Sequence, residues 1–146
     1  MVAHKDYPYI IHTNQELELM LKGVKPLAVF CVDNKIDDID AFTKQEAQSN
    51  QDFESYVKNG QLHEDHIRIF CDSAYIFDYY AYTLPNEKWR STAYFVLMSM
   101  LHKENRWCDN MEYLSGTLLG YTQEQNNYHL TRTRIKSSCL PITSTP

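Results

Sequence analysis

A chain of 146 residues suits one domain and can bury a sizeable core without disulfides or metals. Its 43% hydrophobic content argues against global disorder, and its net charge of -5 disfavours non-specific phosphate binding, which draws its affinity from Lys and Arg. No apolar run approaches the roughly 18 residues that cross a bilayer.

The N-terminal residues lack a charged start followed by an apolar run and a cleavage site. The four cysteines form no CxxC pair, so the simplest expectation is a cytoplasmic protein with reduced thiols. Acidic residues crowd the stretch from Asp33 to Asp65, whereas Arg132, Arg134 and Lys136 follow the last acid, Glu124. The 11 tyrosines combine apolar area with a polar tip, a chemistry common at half-buried rims and recognition patches.

Residues 7–13, YPYIIHT, are aromatic and β-branched and read as a first strand, with Pro8 suiting an edge. Thr13 or Asn14 caps a short helix carrying Leu17, Met20 and Leu21. Gly23 ends it and Pro26 bars its return. Residues 27–32, LAVFCV, form a continuous apolar run, the pattern of a strand covered on both faces. Ile36, Ile39 and Phe42 then sit at helical spacing, and Phe53, Tyr56 and Val57 make a second stripe. These read as one long helix or as two short ones broken near Ser49 and Asn50.

Residues 66–71, HIRIFC, read as the next strand. The connection after it is too short for a helical crossover, so residues 74–83, AYIFDYYAYT, read as an antiparallel neighbour rather than the competing helix. Tyr75, Phe77, Tyr79 and Ala81 would share one face, and Ile76, Asp78, Tyr80 and Tyr82 the other.

After the turn at Leu84-Pro85-Asn86, a helix capped by Asn86 runs to about residue 103. It is apolar almost all round, so it is expected to be enclosed by other elements. Asp109 and Glu112 spell a D-x-x-E capping box for a helix ending before Gly120. Thr122 and Gln125 spell a T-x-x-Q box for a last helix to about residue 132. The expected architecture is α+β, with an α/β-like N-terminal half: a small mixed sheet of about four strands, helices packed on it, and a helical C-terminal third. One domain is expected over 1–136, with a frayed Pro/Ser/Thr-rich tail over 137–146.

Several constellations are chemically suggestive. Two apolar strands end in Asp33 and Asp72, and parallel neighbours would bring both carboxylates to one sheet edge, where they could work as an acid and a base. The four glycines build no phosphate-binding loop. His63-Glu64-Asp65-His66 is dense in ligand types but reads as a loop before a strand, and no metal centre or cofactor is expected. Cys108, with His102 nearby and a helix start following it, is the third low-ranking catalytic candidate. The run 110–132 resembles a helix-turn-helix pattern with Gln123, Gln125, Asn126, Asn127 and Arg132 reaching base edges. It departs from that pattern at Asn126, where an apolar residue belongs, and at Gly116.

Catalytic signatures are absent while interaction-prone residues are plentiful. The expectation is therefore a small soluble binding or regulatory protein, inhibitor- or immunity-like. It would meet a protein partner through an acidic, tyrosine-bearing surface of Asp37, Asp38, Asp40, Tyr79, Tyr80 and Tyr82. A homo-oligomer is compatible with this, and a nucleic-acid or membrane partner is not expected. The alternatives are a small enzyme on Asp33 and Asp72 and, more weakly, a helix-turn-helix DNA binder.

Overall fold

The computed structural model describes residues 7–35, 43–71 and 75–133. Helix α1 (Glu16–Leu21) is followed by strand β1 (Leu27–Lys35), helices α2 (Lys44–Ala47) and α3 (Phe53–Lys58), and strands β2 (His63–Cys71) and β3 (Tyr75–Thr83). A 3-10 turn at Pro85–Glu87 then leads into α4 (Trp89–Glu104), α5 (Asp109–Leu118) and α6 (Gln123–Thr133).

The architecture is mixed α+β, with a three-stranded sheet in the order β1-β3-β2 in place of the expected four strands. Both ladders are antiparallel, so the sheet is not mixed either. The strand missing from the expectation is 7–13. This segment has no ladder and lies irregularly against α6, because its aromatic residues find tyrosine partners there. The Tyr7 and Tyr128 rings lie 5.6 Å apart, and Tyr9 and Tyr128 5.9 Å apart. β2 begins at His63, so the charged HEDH run is strand rather than loop.

β3 lies in the middle, and its predicted alternation holds. Leu27, Ile69, Tyr79 and Ala81 pack with Leu97, Met98, Met111 and Leu118 beneath α4 and α5. On the other face Ala28, Phe30 and Tyr82 pack with Met20 and Phe53 beneath α1 and α3. Phe53 stacks on Tyr82 at 4.4 Å and meets Phe30 edge-on at 5.3 Å. Among the described residues the chain between β1 and β2 carries two short helices, with Ser49 and Asn50, both at positive φ, between them. The stripe Ile36, Ile39 and Phe42 lies outside the described residues.

α4 departs from its expected enclosure. Ser91, Leu97 and Met98 are buried against the sheet and α5, but Trp89 is 57% and Val96 54% exposed. A helix lying on one face of a three-stranded sheet is covered on one side only, whatever its composition. The D-x-x-E box does not form either. Cys108 is the N-cap residue and makes no side-chain cap, and Asp109 Oδ1 is buried without a partner. The T-x-x-Q box does form: the Thr122 N–H donates to Gln125 Oε1 at 2.8 Å and the Gln125 N–H to Thr122 Oγ1 at 3.2 Å.

Gly120, at φ +96°, turns α5 into α6, and a Cβ there would lie 2.5 Å from Pro26 Cδ. Gly116 lets the two helices close on each other, since Asn126 Oδ1 occupies the place its Cβ would take, 2.0 Å away. The expected tail, 137–146, lies outside the described residues.

Gly116→Ala should therefore destabilise the fold by about 1–3 kcal/mol through overpacking. Gly116→Ala combined with Asn126→Ala should recover part of that loss, because the opposing amide is gone. Urea unfolding of the two variants and the wild type checks both; equal midpoints for the single variant and the wild type would refute the close approach.

Candidate functional site

The irregular segment 7–12 faces the α5–α6 hairpin across a cleft of about 490 Å³. Its apolar walls are Ile11 and Leu119, with the rings of Tyr7, Tyr9 and Tyr121. Its floor is an ordered polar chain. Glu112, one turn into α5, takes the Trp107 indole N–H on Oε2 at 2.7 Å and meets His129 Nε2 with Oε1 at 2.9 Å. An ionised carboxylate only accepts, so Nε2 carries the proton. In the neutral ring Nδ1 is then an acceptor, and it receives the Tyr7 hydroxyl at 2.9 Å. The order hydroxyl, imidazole, carboxylate, indole runs across four separate stretches of chain.

The cleft wall is anchored at both ends. The Tyr9 hydroxyl donates to the Gln125 carbonyl at 3.0 Å, and its phenol is pushed up to about 12 by burial and by the neighbouring Tyr7, Tyr121 and Tyr128. At the other end the His12 N–H donates to the Tyr121 hydroxyl at 3.0 Å, and the His12 ring stacks on Tyr121 at 4.0 Å.

Beneath that stack lies Lys25, only 2% exposed. Its Nζ sits 2.9 Å from His12 Nδ1 and donates to the Leu119 carbonyl at 2.9 Å, at the C-terminal end of α5, where a helix favours a cation. Burial pushes the Lys25 amine down to about 7, opposed by Glu16. Burial and then the Lys25 charge push His12 down to about 4.

The predicted site residues fall elsewhere. β1 and β2 run in the same direction, but β3 lies between them, so their ends are about 10 Å apart rather than adjacent. Asp33 is exposed and lines a shallow cleft of about 380 Å³ with Cys71, Phe77 and His102. His102 Nε2 there is engaged by the Tyr79 hydroxyl at 2.5 Å, and burial lowers its pKa. Asp72, Asp37, Asp38 and Asp40 lie outside the described residues.

Of the expected tyrosine surface, Tyr79 is 7% and Tyr82 1% exposed, so neither ring can meet a partner. Only Tyr80 is half-buried, and it stacks on His66 at 4.7 Å. The sheet takes these rings because both faces of β3 are covered. Cys108 is fully buried and disulfide-bonded, while Cys31 and Cys71 are free thiols. The expectation of reduced thiols thus fails at Cys108, and a sulfur held in a disulfide is no thiolate nucleophile. Asn126 turns inward onto Gly116 and cannot reach a base edge from α6. Among the described residues no group of three or more His, Cys, Asp or Glu side chains could hold a metal ion, and no helix is long and apolar enough to cross a membrane.

Tyr7, Tyr9, Glu112 and His129 do not stand out in the sequence as a site. A signal for part of this set was present. Gln125, His129 and Arg132 recur at helical spacing on one face of α6, a polar stripe with no apolar reason for its period. No protein-family model matches this chain, and no curated protein or solved structure matches it either.

The buried amine gives a measurable pH response. Between about 7 and its ordinary 10.5 the unfolded Lys25 holds a proton that the folded one has shed, so raising the pH across that window stabilises the fold. Lys25→Met should flatten this rise in thermal midpoints taken from pH 7 to pH 10. An unchanged slope would mean that the amine is hydrated in solution.

Proposed function

We propose that this is a binding or regulatory protein of the inhibitor or immunity kind, and that the tyrosine-walled cleft holds a basic segment of a partner protein. One observation carries the reading: the chain already places a cation on a ring of the cleft wall. The Arg132 guanidinium lies 5.6 Å from the Tyr7 ring centre, and 5.8 Å from that of the neighbouring Tyr128. Aromatic faces attract such groups electrostatically. The net charge of -5 steers a basic partner to the same molecule. The size of the cleft falls in the range of roughly 300–1,000 Å³ usual for ligand sites. Tyrosine supplies contact area at low entropic cost, and it is common among the residues that dominate interfaces.

Trp107 reports on this cleft because its indole is bonded to Glu112. With Trp89→Phe as the background, arrayed Lys- and Arg-rich peptides that bind should change its fluorescence. Tyr9→Ala should weaken those peptides about tenfold, roughly 1.4 kcal/mol, and added salt should weaken them further. The reading fails if no basic peptide binds, or if those that bind ignore Tyr9→Ala.

A second reading, a small acid–base enzyme, has one observation in its favour: the Tyr7 hydroxyl, His129 and Glu112 stand in the order in which a carboxylate orients an imidazole and the imidazole activates a hydroxyl. In this reading Tyr7 Oη exchanges the proton, and the cleft takes the place of Asp33 and Asp72. Tyr7→Phe separates the two. It keeps the ring, so peptide affinity should stay within about threefold, whereas an enzyme would lose turnover of any substrate found for it.

A further inference from the structure

The sheet has an open side that the cleft does not use. β2 is an edge strand nine residues long, and among the described residues nothing pairs with its outer side. Beside it, on the α4 face, Ile67 and the outer flank of α4 line a groove of about 480 Å³ that includes Phe95, Val96 and Met100. Val96 is 54% exposed and Phe70, on the opposite face of β2, 61%. A long open edge is a template for another strand, and natural proteins guard such edges with charge. β2 carries charge, and its order along the strand is selective.

We infer that β2 pairs with β2 of a second copy of this chain, antiparallel about a two-fold axis at His66, joining two sheets into one of six strands. In this register Glu64 of each copy lies opposite Arg68 of the other, on one face, in both directions. Such cross-strand pairs of opposite charge stabilise a sheet. Neighbouring registers lose this. An axis at Asp65 or at Arg68 sets a like charge against itself. An axis at Ile67 sets His66 against Arg68 and Glu64 against the Phe70 ring.

The groove lies along the same edge. Ser91 bonds Asp65 and Cys71 bonds the His102 carbonyl, so α4 runs beside β2 from residue 65 to residue 71. An axis at His66 therefore passes beside the N-terminal half of α4. It lays the two α4 flanks antiparallel and turns the grooves lined by Phe95 and Val96 toward one seam. The contact is isologous and closes after two copies. Glu64 and Arg68 each also have a partner within their own chain: Arg68 holds Asp78 through Nε and Nη2, at 2.9 and 3.0 Å, and Glu64 takes Lys44 at 2.7 Å, so the cross-strand pair extends two existing contacts.

Sedimentation of the whole chain over a range of micromolar concentrations should show a monomer–dimer equilibrium. Val96→Glu, at an exposed position that leaves folding intact by circular dichroism, should raise the dissociation constant at least about tenfold. His66→Cys should give a 66–66 crosslink under mild oxidation, mapped by peptide mass, since residues directly opposite in an antiparallel pair lie within disulfide reach. Gln61→Cys, five residues from the axis, should not crosslink to itself. A monomer at every concentration overturns the proposal. So does a dimer indifferent to Val96→Glu, or one that crosslinks at position 61 but not at 66. Saturable binding of an extended foreign peptide to β2 of a monomer would give the edge to another occupant and overturn it as well. None of these outcomes depends on what enters the tyrosine cleft.

Discussion

The constraint to which the other elements answer is β3, a strand with a neighbour on each side and a layer of helix on each face. All nine of its residues are in register with β1 and with β2. Tyr79 and Ala81 belong to one core and Tyr82 to the other, so the strand is shared between two otherwise separate apolar clusters. One charge lies within it. Asp78 is 3% exposed, and burial alone would raise its carboxyl. The hydrogen bonds from Arg68 and His66 outweigh burial and leave it below the usual carboxylate range. A buried carboxylate stripped of its partner is among the costlier defects a fold can carry. β2 is therefore tied to β3 by more than its ladder.

The tyrosine hydroxyls in this region make the same point in neutral form. Tyr82 receives the Gln48 amide at 2.5 Å, and its phenol is raised above the ordinary range chiefly by burial. Lys44, one turn before Gln48, bonds Glu64 at 2.7 Å and lies over the Tyr80 ring at 4.7 Å. The short α2 is thus docked by polar groups at its rim rather than by a greasy stripe, and it places only Ala47 against the core. Four residues of helix have little intrinsic stability, so these contacts are what hold them in place.

How much of this was legible depends on how local each cause is. The apolar run 27–32 gave β1, and the alternation in 75–83 gave both the strand and its two faces. A break at Ser49 and Asn50 stood open against one long helix, whereas the Thr122–Gln125 box was readable because it is set within a few residues. Strand order was not, since nothing in LAVFCV or HIRIFC says that the later strand will lie between them. The 7–13 segment has strand composition, yet tertiary contact with Tyr121 and Tyr128 decided its shape. Glu112 spells half of a capping box in the sequence, but Trp107 and His129 claim its carboxylate. The cleft was the least legible part, because Tyr7 and His129 are 122 positions apart and meet only after the sheet is built.

The wall formed by 7–12 has no ladder to the sheet and is fastened mainly by side chains, from Tyr7, Tyr9 and the His12–Lys25 corner. A flap held in this way can peel off as a unit while both cores stay closed, at a free energy well short of global unfolding. A guest bulkier than the resting cleft could be admitted by such local peeling. The speed of its entry would then follow how often the flap lifts rather than how often the guest arrives.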